Sequence, residues 1–179
     1  MHRLLAGLLL FAASILPAAA ALNPGDKAPD FTTQASLGGK AFTYALADAL
    51  KSGSVVLYFY PAAFTEGCTL EAHLFAEAID EYKALGATVI GVSNDNIETL
   101  NRFSVSECRS KFAVAADTTG KIIKSYDAVL VPVIGYASRT SYVITPDGKV
   151  LYAHSDMKPD KHVELTLAAL KKWRAQQPR

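Results

Sequence analysis

The run Tyr58-Phe59-Tyr60-Pro61-Ala62-Ala63-Phe64-Thr65-Glu66-Gly67-Cys68-Thr69-Leu70-Glu71 carries one of the chain's two cysteines from an apolar strand to the start of a helix. A helix start presents unpaired backbone N–H groups and the positive end of the helix dipole, and both favour a thiolate over a thiol. The thiolate is the nucleophilic form, so this position suits sulfur chemistry. Taken singly, the neighbouring residues have simpler readings. Thr65 can cap the helix, Pro61 ends the strand, and Arg139 is an ordinary exposed arginine. Glu71, one turn after Cys68, either pairs with the dipole or Arg139 or lies on a solvated face. Cys68 and Cys108 together can be a structural disulfide, the usual state of a cysteine pair in an oxidising compartment.

The amino terminus points to such a compartment. His2 and Arg3 precede an apolar run from Leu4 to Leu16, followed by Pro17 and the alanines 18–21. This reads as a secretory signal peptide over residues 1–20, with cleavage after Ala20 or Ala21. The run is shorter than the roughly 20 residues a membrane helix needs. It has no preceding arginine pair and no lipid-accepting cysteine at its end, so a soluble exported product without membrane insertion is expected after cleavage. The product would be periplasmic in a Gram-negative bacterium and secreted otherwise; a short uncleaved anchor is the alternative. Residues 23–176 then read as a single domain with enough apolar content to bury a core. The formal charge of +1, with no cluster of Lys and Arg, argues against a nucleic-acid partner.

The elements that must position these side chains follow from periodicity. Asn23 to Asp30 reads as an extended entry, and Phe31–Gln34 and Ala41–Tyr44 flank Gly38-Gly39 as a small hairpin. Val55–Tyr60 is a continuous apolar and aromatic run, suited to a central strand covered on both faces. Thr69–Leu85 places Leu70, Leu74, Phe75, Ala78, Ile79 and Tyr82 at helical spacing, with Gly86 as the stop. Thr88–Val92 is a strand, and Asn96–Cys108 an amphipathic helix with Ile97, Leu100, Phe103 and Val105 inward. Phe112–Ala116 is a short strand, and Asp117-Thr118-Thr119-Gly120 turns into a short helix. Ser141–Thr145 and Lys149–His154 form a hairpin around Pro146-Asp147-Gly148, and Asp160–Gln176 closes the chain as a helix. This order implies an α/β fold whose central mixed sheet is flanked by helices, with an N-terminal β-hairpin extension: a thioredoxin-like arrangement.

Pro61-x-x-x-Thr65-x-x-Cys68 after an aromatic strand, with Arg139 before a later strand, resembles the active-site pattern of peroxiredoxins. The agreement extends from Gly25-Asp26-Lys27-Ala28-Pro29-Asp30-Phe31 through Asp117-Thr118-Thr119-Gly120-Lys121 to Arg139-Thr140-Ser141-Tyr142-Val143-Ile144. The run Gly67-Cys68-Thr69-Leu70-Glu71-Ala72 is most similar to the bacterioferritin-comigratory, or Q-type, branch. The resemblance implies a thiol peroxidase that reduces hydrogen peroxide and organic hydroperoxides without flavin, haem or metal. Cys68 would be the attacking sulfur, and Arg139 would hold the thiolate and polarise the peroxide. Thr65 would offer its hydroxyl to both. Pro61, lacking an N–H, would shield the site, and the backbone N–H groups near Gly67 and Cys68 would complete the cradle, with Glu71 in support.

The chain departs from the family in one respect. Many Q-type members carry the resolving cysteine five residues after the first, where this chain has His73, which reads as a helix-surface histidine. Cys108 lies where another subgroup of the branch places its resolving thiol, which implies a redox-active Cys68–Cys108 disulfide. Because Cys68 begins one helix and Cys108 ends another, a Cα separation of about 5.5 Å requires local unwinding, so the reduced form keeps them apart. Recycling implies an exported or membrane-relayed, thioredoxin-like dithiol reductant. The Gly-Gly-Leu-Gly motif that marks peroxide-sensitive decameric peroxiredoxins is absent, and the resemblance therefore implies a monomer or small homo-oligomer. His154 and His162 carry no metal-ligand spacing with the cysteines. An exported thioredoxin-like thiol-disulfide oxidoreductase would need a second cysteine at position 71, which is Glu, and a copper-delivery protein would need a close cysteine pair. A non-catalytic domain with a structural Cys68–Cys108 disulfide stays open.

Overall fold

The computed structural model describes residues 21–131 and 135–177, and the expected signal segment 1–20 lies outside them. In chain order the elements are β1 (Thr32–Leu37), β2 (Lys40–Ala45), α1 (Leu46–Leu50), β3 (Ser54–Phe59), α2 (Glu66–Ala84), β4 (Ala87–Ser93), α3 (Ile97–Ser106) and β5 (Ala113–Ala116). They continue with α4 (Lys121–Ser125), β6 (Val129–Val131), β7 (Tyr136–Ala137), β8 (Thr140–Ile144), β9 (Val150–Ser155) and α5 (His162–Ala175). A seven-stranded sheet runs β2-β1-β5-β4-β3-β8-β9, and β6 pairs with β7 apart from it. The expected hairpin is β1–β2, and β1 joins it to the sheet through antiparallel pairing with β5.

β3 is buried at every position because the sheet is covered on both faces. Its alternate residues Val56 and Tyr58, with Tyr60 just beyond it, pack under α2, α3 and α5, in a cluster that also holds Cys68 and Cys108. Val55, Leu57 and Phe59 point to the other face, against Leu46 of α1 and Ile122 and Ile123 of α4. β3 runs parallel to β4 and antiparallel to β8. Tyr58 lies beside Gly91 of β4, where a Cβ would stand 2.6 Å from the tyrosine Cζ. Only glycine leaves room for that ring.

Two helix faces differ from the expected ones. α2 starts at Glu66, three residues earlier than its apolar periodicity suggests, so Cys68 lies inside the first turn. Its inner stripe runs Cys68, Glu71, Ala72, Phe75, Ala76, Ile79 and Tyr82, which turns Leu70 outward to 44 % exposure. A carboxylate holds the place periodicity assigns to leucine because a buried arginine waits opposite it. In α3 the inner positions are Leu100, Phe103 and Ser104, and Val105 faces solvent. Ser104 is admitted to the interior by bonds to Ser36 Oγ at 3.1 Å and Gly39 N–H at 2.9 Å. α3 ends at Ser106, so Cys108 lies two residues beyond the helix.

Candidate active site

Strand pairing assembles the site. β8 runs antiparallel to β3 with Thr140 opposite Phe59, so the residue before β8 meets the point where β3 gives way to α2. Arg139 occupies that point and is 3 % exposed. Its Nη2 lies 3.5 Å from Cys68 Sγ, Nη1 donates a short bond to Glu71 Oε2, and Nε donates to the Met157 carbonyl at 3.0 Å. Three acceptors therefore fix a planar fork that aims one N–H at sulfur. Gly67 belongs to this arrangement: a Cβ there would sit 3.1 Å from Arg139 Nη2.

The start of α2 supplies the other half. Thr65 is the N-cap residue, yet its side chain caps nothing; its hydroxyl donates to the Ala62 carbonyl at 2.9 Å. The first backbone bond of the helix runs from Thr69 N–H to Thr65 O at 2.8 Å, which leaves the N–H groups of Glu66, Gly67 and Cys68 ahead of the ladder. Those donors and the dipole end belong to the same turn as Cys68, which is 2 % exposed. Pro61 is half-buried, one residue past Tyr60, whose N–H still donates to Val92 O at 3.1 Å. Between Pro61 and Thr65 the chain is held by Asp95, whose Oδ2 accepts from Ala63 N–H at 2.7 Å and from Ser93 Oγ at 2.8 Å. Phe64 adopts a φ of 64°, rarely taken by a bulky residue, and its ring stands edge-on to Phe103 with centroids 5.2 Å apart.

The charges are tightly coupled. Burial pushes the Glu71 carboxyl up to about 8 against the opposing pull of Arg139. Burial works against the Arg139 charge as well, but Glu71 and Cys68 beside it act the other way and hold the guanidinium above its usual range. The opposite wall holds His162, fully buried and pushed down to about 4 by burial.

Cys108 is fully buried, its N–H donating to Phe103 O at 3.1 Å. Both cysteines are free thiols. Burial, and then the charge of Glu107, pushes the Cys108 thiol up. His73 bonds Glu107 Oε2 at 2.8 Å, tying the segment before Cys108 to α2. The structure thus brings Cys68, Arg139, Glu71 and Gly67 into contact and places Pro61 and Thr65 in the turn leading to them.

A model of the AhpC/TSA family matches residues 24–153. The chain belongs to that family. Among its relatives, peroxiredoxin Bcp of Escherichia coli is 31 % identical over 163 residues, covering 84 % of this chain and 96 % of the relative. The chloroplastic peroxiredoxin Q of Arabidopsis thaliana is 33 % identical over 153 residues, 85 % of this chain and 68 % of the relative. The solved structure of peroxidoxin BcpB from Mycobacterium tuberculosis superposes with a TM-score of 0.76 at 31 % identity, covering 87 % of this chain and 98 % of that one. Peroxiredoxin Q of Xanthomonas campestris gives 0.69 at 27 % identity, over 79 % and 90 %. The chain is thus a thioredoxin-like peroxiredoxin of the Bcp/Q kind, and peroxiredoxins are thiol peroxidases.

Three contributors to this peroxiredoxin's site were not singled out by sequence reasoning. Asp95 had a usable signal, since it follows a parallel strand beside the active-site strand, at the carboxyl edge where α/β sheets bind ligands. His162 and the Met157 carbonyl had none. Their roles depend on how the segment after β9 folds back over Arg139.

Proposed function

We propose that Cys68 is the peroxidatic cysteine of this thiol peroxidase and Cys108 its resolving cysteine. The observation that carries the first assignment is the 3.5 Å approach of Arg139 Nη2 to Cys68 Sγ at the unsatisfied start of α2. In the first step the thiolate electron pair forms an S–O bond to one peroxide oxygen, the O–O bond breaks, and the other oxygen leaves as hydroxide or alkoxide. Arg139 and the open N–H groups of the helix start lie where that oxygen's charge develops. The product is a Cys68 sulfenic acid. Attack by the Cys108 sulfur then expels water and joins the two cysteines, and a dithiol reductant restores both thiols.

The first step asks little movement of the site, whereas the second must release two buried sulfurs from one core cluster. Thr65, bonded to Ala62 in the reduced form, would turn its hydroxyl toward peroxide as the substrate enters. The leader-like segment 1–20 supports an exported, periplasmic enzyme in a Gram-negative host, served by an exported or membrane-relayed dithiol. The substrates are hydrogen peroxide and organic hydroperoxides, and the chain works as a monomer or small homo-oligomer.

Mass spectrometry of the reduced protein before and after one equivalent of hydrogen peroxide, with a thiol-blocking label, tests the cycle. A peptide joining Cys68 to Cys108 is expected within seconds. Oxidation confined to Cys68 would overturn the role of Cys108, and two thiols indifferent to peroxide would overturn the assignment of Cys68.

A further inference from the structure

The carboxyl group that holds Arg139 has a second oxygen, and Glu71 Oε1 is buried without a hydrogen-bond partner among the described residues. An unpartnered oxygen in the interior is costly, and its surroundings show what faces it. His162 Nδ1 lies 3.7 Å away, with both side chains fully buried. His162 opens α5 and is tied at each ring nitrogen. Nε2 lies 2.9 Å from the Asp156 carbonyl, an acceptor, so Nε2 carries the hydrogen. Nδ1, 2.8 Å from Ser141 Oγ, is then the lone-pair site and accepts from that hydroxyl. The imidazole is neutral, and burial keeps the Glu71 carboxyl protonated below about 8, so an Oε1–H can face the Nδ1 side of the ring, which the Ser141 hydroxyl also approaches.

The same short segment receives a hydrogen bond from each of the two side chains. Asp156 O receives His162 Nε2–H, the next carbonyl, Met157 O, receives Arg139 Nε–H, and Asp156 N–H returns to Arg139 O at 3.2 Å. His162 thus braces the arginine along two routes, one through the Asp156–Met157 backbone and one through Glu71. We propose that His162 is a positioning residue for the peroxide-reducing site: its Nδ1 faces the free oxygen of Glu71 and orients the carboxyl group whose other oxygen aims Arg139 at Cys68. The inference rests on the reading of Cys68 as the peroxidatic thiol. The groups facing the ring are Glu71 from α2, Arg139 and Ser141 on the β8 side, His154 from β9 with ring centroids 4.7 Å apart, and Asp156 from the loop between.

The two routes are separable by substitution. His162→Asn keeps a polar atom where Nδ1 stands and loses the donor at Nε2, whereas His162→Gln keeps a donor near Nε2 and loses the acceptor at Nδ1. The expected result is a fall of about 10- to 100-fold in kcat/KM for hydrogen peroxide in His162→Gln, carried by kcat, as a guanidinium displaced by a fraction of an ångström would give. His162→Asn, which loses the route through Asp156 but keeps a polar atom facing Glu71, should fall by a smaller factor than His162→Gln. The reverse order, or two unaffected variants, overturns the proposal in favour of a purely structural bond to Asp156. A measurement on the unsubstituted protein covers the case in which neither variant folds. The ¹⁵N resonance of His162 Nδ1 should inflect near pH 8 as Glu71 titrates, and a flat profile from pH 6 to 9.5 overturns the proposal. Failure here leaves Cys68-dependent turnover of the parent chain intact, so it is distinct from failure of the peroxidatic assignment.

Discussion

Gly67→Ala pits helix stability against catalysis. Gly67 is the second residue of α2 and has no unusual φ, so alanine fits the backbone and removes the conformational freedom that glycine must lose on folding. The gain is at most about 1 kcal/mol, which for a chain of this size raises Tm by about 2–4 °C. The new Cβ, however, would lie 3.1 Å from Arg139 Nη2, a few tenths of an ångström inside ordinary contact. The guanidinium cannot retreat freely, because Glu71 Oε2 and Met157 O hold its other nitrogens. The displacement must lengthen the 3.5 Å approach to Cys68. If a misplacement of about 1 Å costs about 100-fold, a shift of a third to a half of that costs roughly 5- to 10-fold. Stopped-flow oxidation of Cys68 by hydrogen peroxide, run beside thermal unfolding, reads both quantities. A variant that unfolds later and reacts 5- to 10-fold more slowly is expected. Unchanged reactivity with the raised Tm would refute the claim that Arg139 is held to within tenths of an ångström for function.

Cys68→Ser should abolish turnover, while Cys108→Ser should leave the first oxidation rate intact and stop disulfide formation, as read by non-reducing peptide mapping. Asp95→Ala frees the Ala63 N–H and relaxes the turn carrying Thr65; peroxide reactivity should fall several-fold with about 1–2 kcal/mol of stability, measured by stopped-flow and urea unfolding. Gly91→Ala drives a Cβ into the Tyr58 ring and should cost about 1–3 kcal/mol or more in urea unfolding, with loss of Tm. Glu71 has a folded-state value raised from 4.5 to about 8, so the folded chain binds its proton more tightly and this contribution to stability is lost as pH rises across that window. His162 is depressed from 6.5 to about 4, so its contribution is present above 6.5 and is lost as pH falls toward 4. Urea unfolding of Glu71→Gln between pH 6.5 and 8 should therefore show a less negative slope than the parent, and an identical slope would contradict the assignment.

How far the sequence can be read depends on whether a residue's role is local. Val55–Tyr60 announces β3 because a strand covered on both faces needs an unbroken apolar run, and the Pro146-Asp147-Gly148 turn announces its hairpin because turn chemistry is a matter of adjacent residues. Cys68 is legible for the same reason, standing at the junction of two recognisable elements. Glu71 reads from its neighbours as either a solvated face or a partner of Arg139, since only strand pairing across β3 and β8 decides that a buried guanidinium faces it. Leu70 and Val105 turn outward because Glu71 and Ser104 take inner positions that periodicity reserves for apolar residues. His162 stands more than ninety positions after Cys68, in a helix where nothing nearby hints that one end of it closes over the arginine.

The burial of Cys108 keeps the two sulfurs of this peroxiredoxin on separate clocks. A thiol held in its neutral form reacts poorly with peroxide, so burial makes Cys108 a poor target for the oxidant in the folded reduced chain. In the proposed cycle Cys108 becomes a nucleophile only after the end of α3 loosens and water reaches it, and loosening must undo the His73–Glu107 link and the packing around Phe103. The lifetime of the sulfenic acid is then set by the opening rate of the fold rather than by sulfur chemistry. Mutations far from Cys68 that soften α3 would shorten that lifetime, and mutations that stiffen it would leave Cys68 longer within reach of a second peroxide. Resistance to irreversible overoxidation becomes, in this chain, a property of how readily one helix end frays.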